Sequence, residues 1–313
     1  MPGTMRALVT HDWGGPEQLR LEEIPRPEAG EGELLVRVAA AGINPVDWKT
    51  RRNGGLMKSR GIEPPVILGW DISGTVEAVG VGAEGFAVGD EVFGLGKFPK
   101  ALGGYAEYVT VPAADVAIKP GNISHVEAAS LPLAALTAHQ AFELGGLSAG
   151  QLVLVQAAAG GVGSIAVQLA KARGARVAGT AGTANQELLR DLGVDIPIDY
   201  TTTDFADAVS DVDVVLESQG GDVRQRSWSV LRPGGVMVSI LGPLPPEDAE
   251  AHGVRGVHML VRPDGAQMAE IAELVATGKL RAIVHETFPF ERAADAHRLA
   301  EVGHATGKLV LVP

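Results

Sequence analysis

The sequence predicts an α/β domain set inside a β-rich one. Three observations predict it. The first third is a series of short Val-rich runs punctuated by Gly, Pro and Asp. From near Ile123, helical periods alternate with short apolar runs. The last residues, "GKLVLVP", form one more short apolar run that can complete the outer domain. Apolar runs between turn residues read as strands, and regular alternation with helices reads as αβ units.

In chain order, "MRALVT", "GELLVRVAAAG", "DISGTVEAVG", "DEVFG" and "AEYVTVP" are the early strands, with a turn expected at Gly42 to Pro45. "SHVEAASLPLAALTAHQAFEL" is helical in period; Ser124 and Glu127 have capping-box spacing, and Pro132 predicts a break. Next come strand "QLVLVQA", a glycine turn, helix "GSIAVQLAKARG" stopped at Gly174, and strand "ARVAGTA". Then follow helix "NQELLRDLG", strand "IPIDY", helix "FADAVS" and strand "VDVVLESQG". "GDVRQRSWSVLRPGG" reads as a helix with a glycine stop, "VMVSILG" as a strand, and Pro243 to Gly256 as a crossing loop. "DGAQMAEIAELVATGKL" is an amphipathic helix, followed by strand "RAIVHETFPF", helix "ERAADAHRLAEVG" and the closing strand. The expected boundaries are 1–122 and 279–313 for the β-rich domain and 123–278 for the α/β domain.

Composition narrows the function classes. The chain has 313 residues, is 46% hydrophobic and 20% charged, and can bury the cores of two domains. A net charge of -12 disfavours nucleic acid and anionic membranes, and the densest basic cluster, "KTRRNGG", is short. With no cysteine there is no disulfide, cysteine nucleophile or thiolate zinc site. The N-terminal residues do not read as a secretory signal, and no apolar run is long enough for a membrane span. A cytoplasmic protein is the expectation.

"LVLVQAAAGGVGSIAVQLAKARGARVAGTAGT", Leu152 to Thr183, nearly spells a dinucleotide fingerprint. A strand, a glycine turn and a helix N-terminus make an anion site: the turn must be tight, the backbone must approach the pyrophosphate, and the helix must pack closely. Gly160, Gly161 and Gly163 meet these needs, while Ala158 replaces the first glycine and argues against a left-handed residue there. A purely structural glycine turn is the competing reading. The acid that would grip the ribose hydroxyls of NAD is missing; Thr180, Thr183 and Asn185 follow the second strand. Its absence permits a 2′-phosphate, with Arg190 a candidate partner, and leans toward NADPH with NADH retained.

With these segments in order, the chain resembles the zinc-independent quinone oxidoreductase or enone reductase branch of the medium-chain dehydrogenase/reductase superfamily. "AGINPVDWKTRRNGG", "PPVILGWDISGTVEAVGVGAEGFAVGDEVFG", "GGYAEYVTVPA", "LPLAALTAHQAF", "AAAGGVG", "LRPGGVMVSILG" and "AHRLAEVGHATGKLVLVP" carry the resemblance over nearly the whole chain. It implies a GroES-like domain carrying an inserted Rossmann domain, with the active cleft between them, and a homodimer. Residue by residue, it implies that Asn44 lies near the nicotinamide and substrate, and Lys49 near one of them. Thr137 would face the cofactor, Ala159, Gly160, Gly161 and Val162 would form the pyrophosphate turn, and Gly163 would let the helix close on it. Tyr200 would lie near the 2′-phosphate, and Ser239, Leu241 and Gly242 would flank the nicotinamide; Thr180 and Thr183, at the end of the second strand, are cofactor-binding candidates by their position. Lys308 would close near the cofactor. The lysine that often accompanies the tyrosine falls on Gln186, which tempers the preference for NADPH.

Zinc relatives need cysteine and histidine ligands; here the usual histidine-acid pair reads Trp70-Asp71, so no metal is expected. Hydride transfer from a nicotinamide to a quinone or an α,β-unsaturated carbonyl then fits best, because it needs orientation and a donor for the oxygen. Asn44 and Lys49 are the candidate donors, although "GINPVD" also reads as a plain turn and Lys49 as a surface lysine. Asp47 and Asp71 read as local hydrogen-bonding groups, Trp70 and Phe93 as an apolar wall or core, and Tyr105 as packing. An enoyl-thioester reductase and a non-enzymatic coenzyme-binding protein are the alternatives.

Overall fold

The computed structural model describes residues 3–303 and 305–313; Met1, Pro2 and His304, which the expected outer domain includes, lie outside them. The chain divides into two compact units, Met1–Leu136 with Arg262–Pro313, and Thr137–Val261.

The first unit is built on a seven-stranded sheet. Its order is Val284–Pro289, Lys308–Val312, Glu33–Ile43, Asp71–Val79, Glu91–Leu95 and Val116–Ile118, with Tyr108–Pro112 also paired to Glu33–Ile43. A three-stranded sheet, Leu19–Pro25, Thr4–Thr10 and Val66–Ile67, accompanies it. Close backbone approach is imposed at Gly42, where a Cβ would overlap the Ala129 carbonyl oxygen and touch Asp71 Cβ at 3.0 Å. The expected turn at Gly42 to Pro45 is instead a strand running to Ile43 and the helix Pro45–Asn53. Pro45 at its first position lacks an N–H that the helix could not have used, so proline starts this helix rather than breaking it.

The second unit is a six-stranded parallel sheet in the order Ile196–Asp199, Arg176–Ala181, Leu152–Val155, Val212–Glu217, Leu231–Ser239 and Arg255–His258. The chain steps outward from the strand Leu152–Val155 in one direction, then returns to its other side. Such a switch point, at the carboxyl ends of the strands, is where doubly wound sheets bind ligands. The helix Gly161–Ala172 buries Ile165, Ala166, Leu169 and Ala170, and Gly174 follows it at φ +76. Leu154, Phe205, Val215, Trp228 and Met237 pack in the core of this unit.

Several boundaries differ from the sequence reading. The capping box at Ser124 and Glu127 and the break before Pro132 are present, as helices His125–Ala129 and Pro132–Gly145. The helix expected over "GDVRQRSWSVLRPGG" spans only Gly221–Ser227, and the strand already begins at Leu231. Val212 pairs with Leu231, so sheet pairing overrides the proline and glycines that follow. The expected crossing loop contains a helix, Pro246–Ala251, and the edge strand Arg255–His258. Residues 123–136 and 262–278 group with the first unit. There His125–Ala129 packs on Glu33–Ile43 and Asp71–Val79, and Gly265–Ala276 packs on Val116–Ile118. Among the described residues no helix is long and apolar enough to cross a membrane.

Candidate active site

In the first unit, Asn44 sits where strand meets helix. Its backbone N–H donates to Asp47 Oδ2 at 2.6 Å, so Asp47 caps the helix from its first turn. Its side-chain Nδ2 donates to Asp71 Oδ2 at 2.8 Å, and its Oδ1 accepts from the Lys308 ammonium. Lys308 also donates to the Ile43 carbonyl at 2.8 Å and lies 3.6 Å from Asp71 Oδ2. The second oxygen of Asp71 accepts the Leu133 N–H at 2.8 Å, near the start of the helix Pro132–Gly145. All four side chains are buried, Asn44 at 2% exposure.

Burial governs the charges here. It pushes the Asp71 carboxyl up against the opposing pull of Lys308, and pushes the Lys308 ammonium down against the pull of Asp71. Burial likewise raises Asp47 to about 7, opposed by the Asn44 N–H and assisted by the charge of Asp71. Tyr105, fully buried beside Asp47, is raised well above its ordinary value, first by burial and then by that carboxylate. Its hydroxyl lies 3.4 Å from His297 Nε2, and burial, then the Arg51 charge, depresses this histidine to about 3. Lys49 is not part of this cluster. It is exposed on the helix Pro45–Asn53, with its ammonium 5.5 Å from the centre of the Trp48 ring. Trp70 and Phe93 are core residues.

In the second unit, the glycine turn has the geometry of an anion cradle. The left-handed residue is Ala157, at φ +49, one position before Ala158. Its N–H donates to the Thr180 hydroxyl at 3.1 Å, and the Ala158 N–H to the Thr180 carbonyl at 2.8 Å. Thr180, buried in the neighbouring strand, therefore fixes the turn. Gly160 precedes the helix, and Gly161, Val162 and Gly163 open it. First-turn N–H groups of a helix have no acceptor within the helix, and the helix dipole favours an anion there. A Cβ on Gly163 would overlap the Ala157 carbonyl oxygen and come within 2.8 Å of Ala158 Cα. The turn and the helix can approach this closely only with glycine at that position. These residues fit a dinucleotide pyrophosphate.

The other predicted residues fall at the carboxyl ends of the same strands. Thr183 is exposed and donates to Asp199 Oδ2 at 2.6 Å. Asp199 pairs in register with Ala181, and its other oxygen accepts from the Thr201 N–H and hydroxyl. An acid thus stands beside the end of the second strand, contributed by the third and engaged by Thr183 and Thr201. Sequence order hid it; the parallel register reveals it. Hydrogen bonds from Thr183 and Thr201 lower its carboxyl. Tyr200 is 57% exposed, and its hydroxyl lies beside Gly182. Gln186 ties the Ala181 and Ile198 carbonyls at 2.9 and 3.2 Å, so its amide is engaged within the fold.

Ser239 is buried and donates to Glu217 Oε2 at 2.8 Å. Glu217, at the end of its strand, also takes the Gln219 and Gly220 N–H groups and pairs with Arg224 at 3.0 Å. This carboxylate, which sequence reading passed over, ties the loop after its own strand to Ser239, which precedes the loop that carries Leu241 and Gly242. An acid closing the apolar run "VVL" was the signal for it. Leu241 is exposed and lies over Gly220; Thr137 is buried in the helix Pro132–Gly145.

The model of the alcohol dehydrogenase GroES-like domain matches residues 30–121, and that of a zinc-binding dehydrogenase matches residues 192–311. The NADPH-dependent alkenal/one oxidoreductase of Arabidopsis thaliana chloroplasts is 38% identical, over all of this chain and 81% of its own length. The 2-methylene-furan-3-one reductase of Solanum lycopersicum is 36% identical, over all of this chain and 80% of its own. The solved quinone oxidoreductase of Coxiella burnetii is 36% identical, superposes with a TM-score of 0.91, and aligns over 99% of both chains. The zinc in the second family's description does not fit this chain. It has no cysteine, and Trp70 is fully buried with its Nε1 donating to the Lys100 carbonyl at 2.6 Å. Among the described residues no group of three or more His, Cys, Asp or Glu side chains is placed to hold a metal.

Proposed function

The chain belongs to the medium-chain dehydrogenase/reductase superfamily, as an NAD(P)H-dependent oxidoreductase of its quinone and enone reductase branch, and from that premise we propose that it reduces a quinone or an α,β-unsaturated carbonyl with NADPH. The observation that carries the reading is the pyrophosphate cradle at Gly160 to Gly163, closed on Ala157; the buried, charge-held carboxamide of Asn44 supports it separately. NADPH, when bound, supplies the hydride.

Ala159 to Gly163 would bind the pyrophosphate through first-turn N–H groups. Thr183 and Tyr200 would take the adenosine end; Thr137, Ser239, Leu241 and Gly242 would border the nicotinamide end. Thr180 serves the cradle indirectly, by holding Ala157. Asn44 would donate to the carbonyl oxygen, where negative charge develops as hydride arrives at the β-carbon. Lys49 is a second, exposed donor in this reading. A homodimer and a cytoplasmic setting complete it, and sedimentation tests the former.

The test is oxidation of NADPH and of NADH with a panel of quinones, short enones and enoyl thioesters. Turnover of a quinone or enone is expected. Asn44→Ala should lose about 100-fold in kcat, the scale of one oxyanion donor, and Lys49→Ala no more than about threefold, the scale of an exposed charge. No coenzyme oxidation with any acceptor would overturn the proposal.

A further inference from the structure

The orientation of the Asn44 carboxamide is set by charge. A carboxamide has two ends of similar shape, and its surroundings decide which way it faces. Here an ammonium, which can only donate, meets Oδ1, and a carboxylate, which can only accept, meets Nδ2. Reversing the amide would set N–H against ammonium and oxygen against carboxylate, inside a buried site. Nδ2 carries two hydrogens, and Asp71 takes one; in the proposed function the other goes to the substrate oxygen. The Lys308 ammonium donating to Oδ1 polarises the amide and makes that remaining N–H a better donor.

The Lys308 ammonium is correspondingly engaged. Ile43 O, Asn44 Oδ1 and Asp71 Oδ2 surround it, and the residue is 6% exposed. Gly307, at φ +74, precedes it, and a Cβ there would overlap the Ile283 carbonyl oxygen. Only a glycine lets the chain enter the strand this tightly and send the lysine inward. Asp71 is held in turn by the Leu133 N–H.

We propose that Lys308 and Asp71 are positioning residues for Asn44, and that Lys308 does not contact the coenzyme, the place the resemblance had implied for it. The inference rests on the reading of Asn44 as the carbonyl donor. Lys308 fixes the oxygen end of the amide, Asp71 fixes the nitrogen end, and the pair presents one N–H in one direction.

The test compares wild type, Lys308→Met, Asp71→Asn, Asn44→Ala and the Asn44→Ala/Lys308→Met double variant. Three measurements are taken: enone turnover, the NADPH dissociation constant, and the side-chain amide NMR pair of Asn44, which its loss in Asn44→Ala identifies. Lys308→Met should lower kcat about 10- to 100-fold, the scale of a misplaced catalytic group, and leave the NADPH dissociation constant within about twofold of wild type, a difference far below that of a lost charge contact. The double variant should be no slower than Asn44→Ala, because Lys308 acts through Asn44. The amide pair should shift in both Lys308→Met and Asp71→Asn. Should Lys308→Met not fold, Asp71→Asn carries the test alone, since it keeps the shape of the side chain. An unmoved amide pair in the folded variants, or NADPH affinity falling in step with rate, would overturn the proposal. Full turnover in Asn44→Ala would instead remove Asn44 as the donor, while the amide signal still judges whether Lys308 and Asp71 hold it.

Discussion

Replacing Asp47 by asparagine should expose a hidden pH dependence of stability. The Asp47 carboxyl ionises at 3.8 ordinarily and at about 7 in the fold, chiefly because it is buried. Between those values the folded chain keeps a proton that the unfolded chain releases. The stability this contributes is complete below 3.8 and is lost as pH rises through 7. Each tenfold difference in proton affinity is worth about 1.4 kcal/mol, so the loss amounts to about 4 kcal/mol. His297 runs the other way. Burial lowers it from 6.5 to about 3, so its contribution is complete above 6.5 and is lost as pH falls through 3. The two oppose one another across the same window, so the Asp47 contribution is read from the difference between variant and wild type rather than from the wild-type profile. Asparagine keeps an acceptor for the Asn44 N–H and removes only the titration. Urea unfolding of both proteins at intervals from about pH 4 to about pH 8 is the assay. The stability of Asp47→Asn minus that of wild type should rise by about 4 kcal/mol over that range. A difference that stays constant with pH would refute a protonated Asp47 in the fold.

Three further outcomes are expected. Gly163→Ala should weaken NADPH binding more than about tenfold, because its Cβ overlaps the Ala157 carbonyl oxygen and must displace the turn; fluorescence titration of a variant with unchanged circular dichroism reads it, and retained affinity would sink the cradle. Asp199→Asn should raise the preference for NADPH over NADH about fivefold, an effect that salt diminishes, because it removes one partly exposed negative charge beside Thr183, where the proposed site would take the 2′-phosphate end. Prolonged dialysis against a chelator should leave turnover unchanged, since the donor set does not fit zinc; a loss restored by zinc would contradict that.

How much could be read without coordinates depended on the range of the interaction. The strand, turn and helix around Gly160 to Gly163 are local, and so are the capping box at Ser124 and the break at Pro132; each was legible from neighbouring residues. Pro45 misled because proline punctuates a turn and opens a helix with the same fixed φ. Leu231 misled because a partner strand, not local propensity, decided its state. At the sites, glycines declared themselves through spacing, whereas pairings across strands did not. Asp199 stands beside Thr183 by strand register, and Lys308 meets Asn44 through the pairing of two strands far apart in the chain. Glu217 stood out only as a charge at the end of an apolar run.

The pairing of Lys308 with Asn44 also sets a schedule. The two residues are 264 positions apart. The strands of the 137–261 unit all leave the ribosome before Lys308 does, and that unit can pack while synthesis continues. The strand that carries Lys308 lies inside the other sheet, hydrogen-bonded to Glu33–Ile43 on one side. At translation rates of roughly 5–20 residues per second, the nascent Asn44 waits roughly 13–50 s for the ammonium that orients it. Until Lys308 arrives the Asp71 carboxylate lacks that counter-charge, and the outer sheet lacks an interior strand. A nascent chain can therefore acquire its nucleotide fold well before the carboxamide is oriented, and activity should trail coenzyme binding during synthesis.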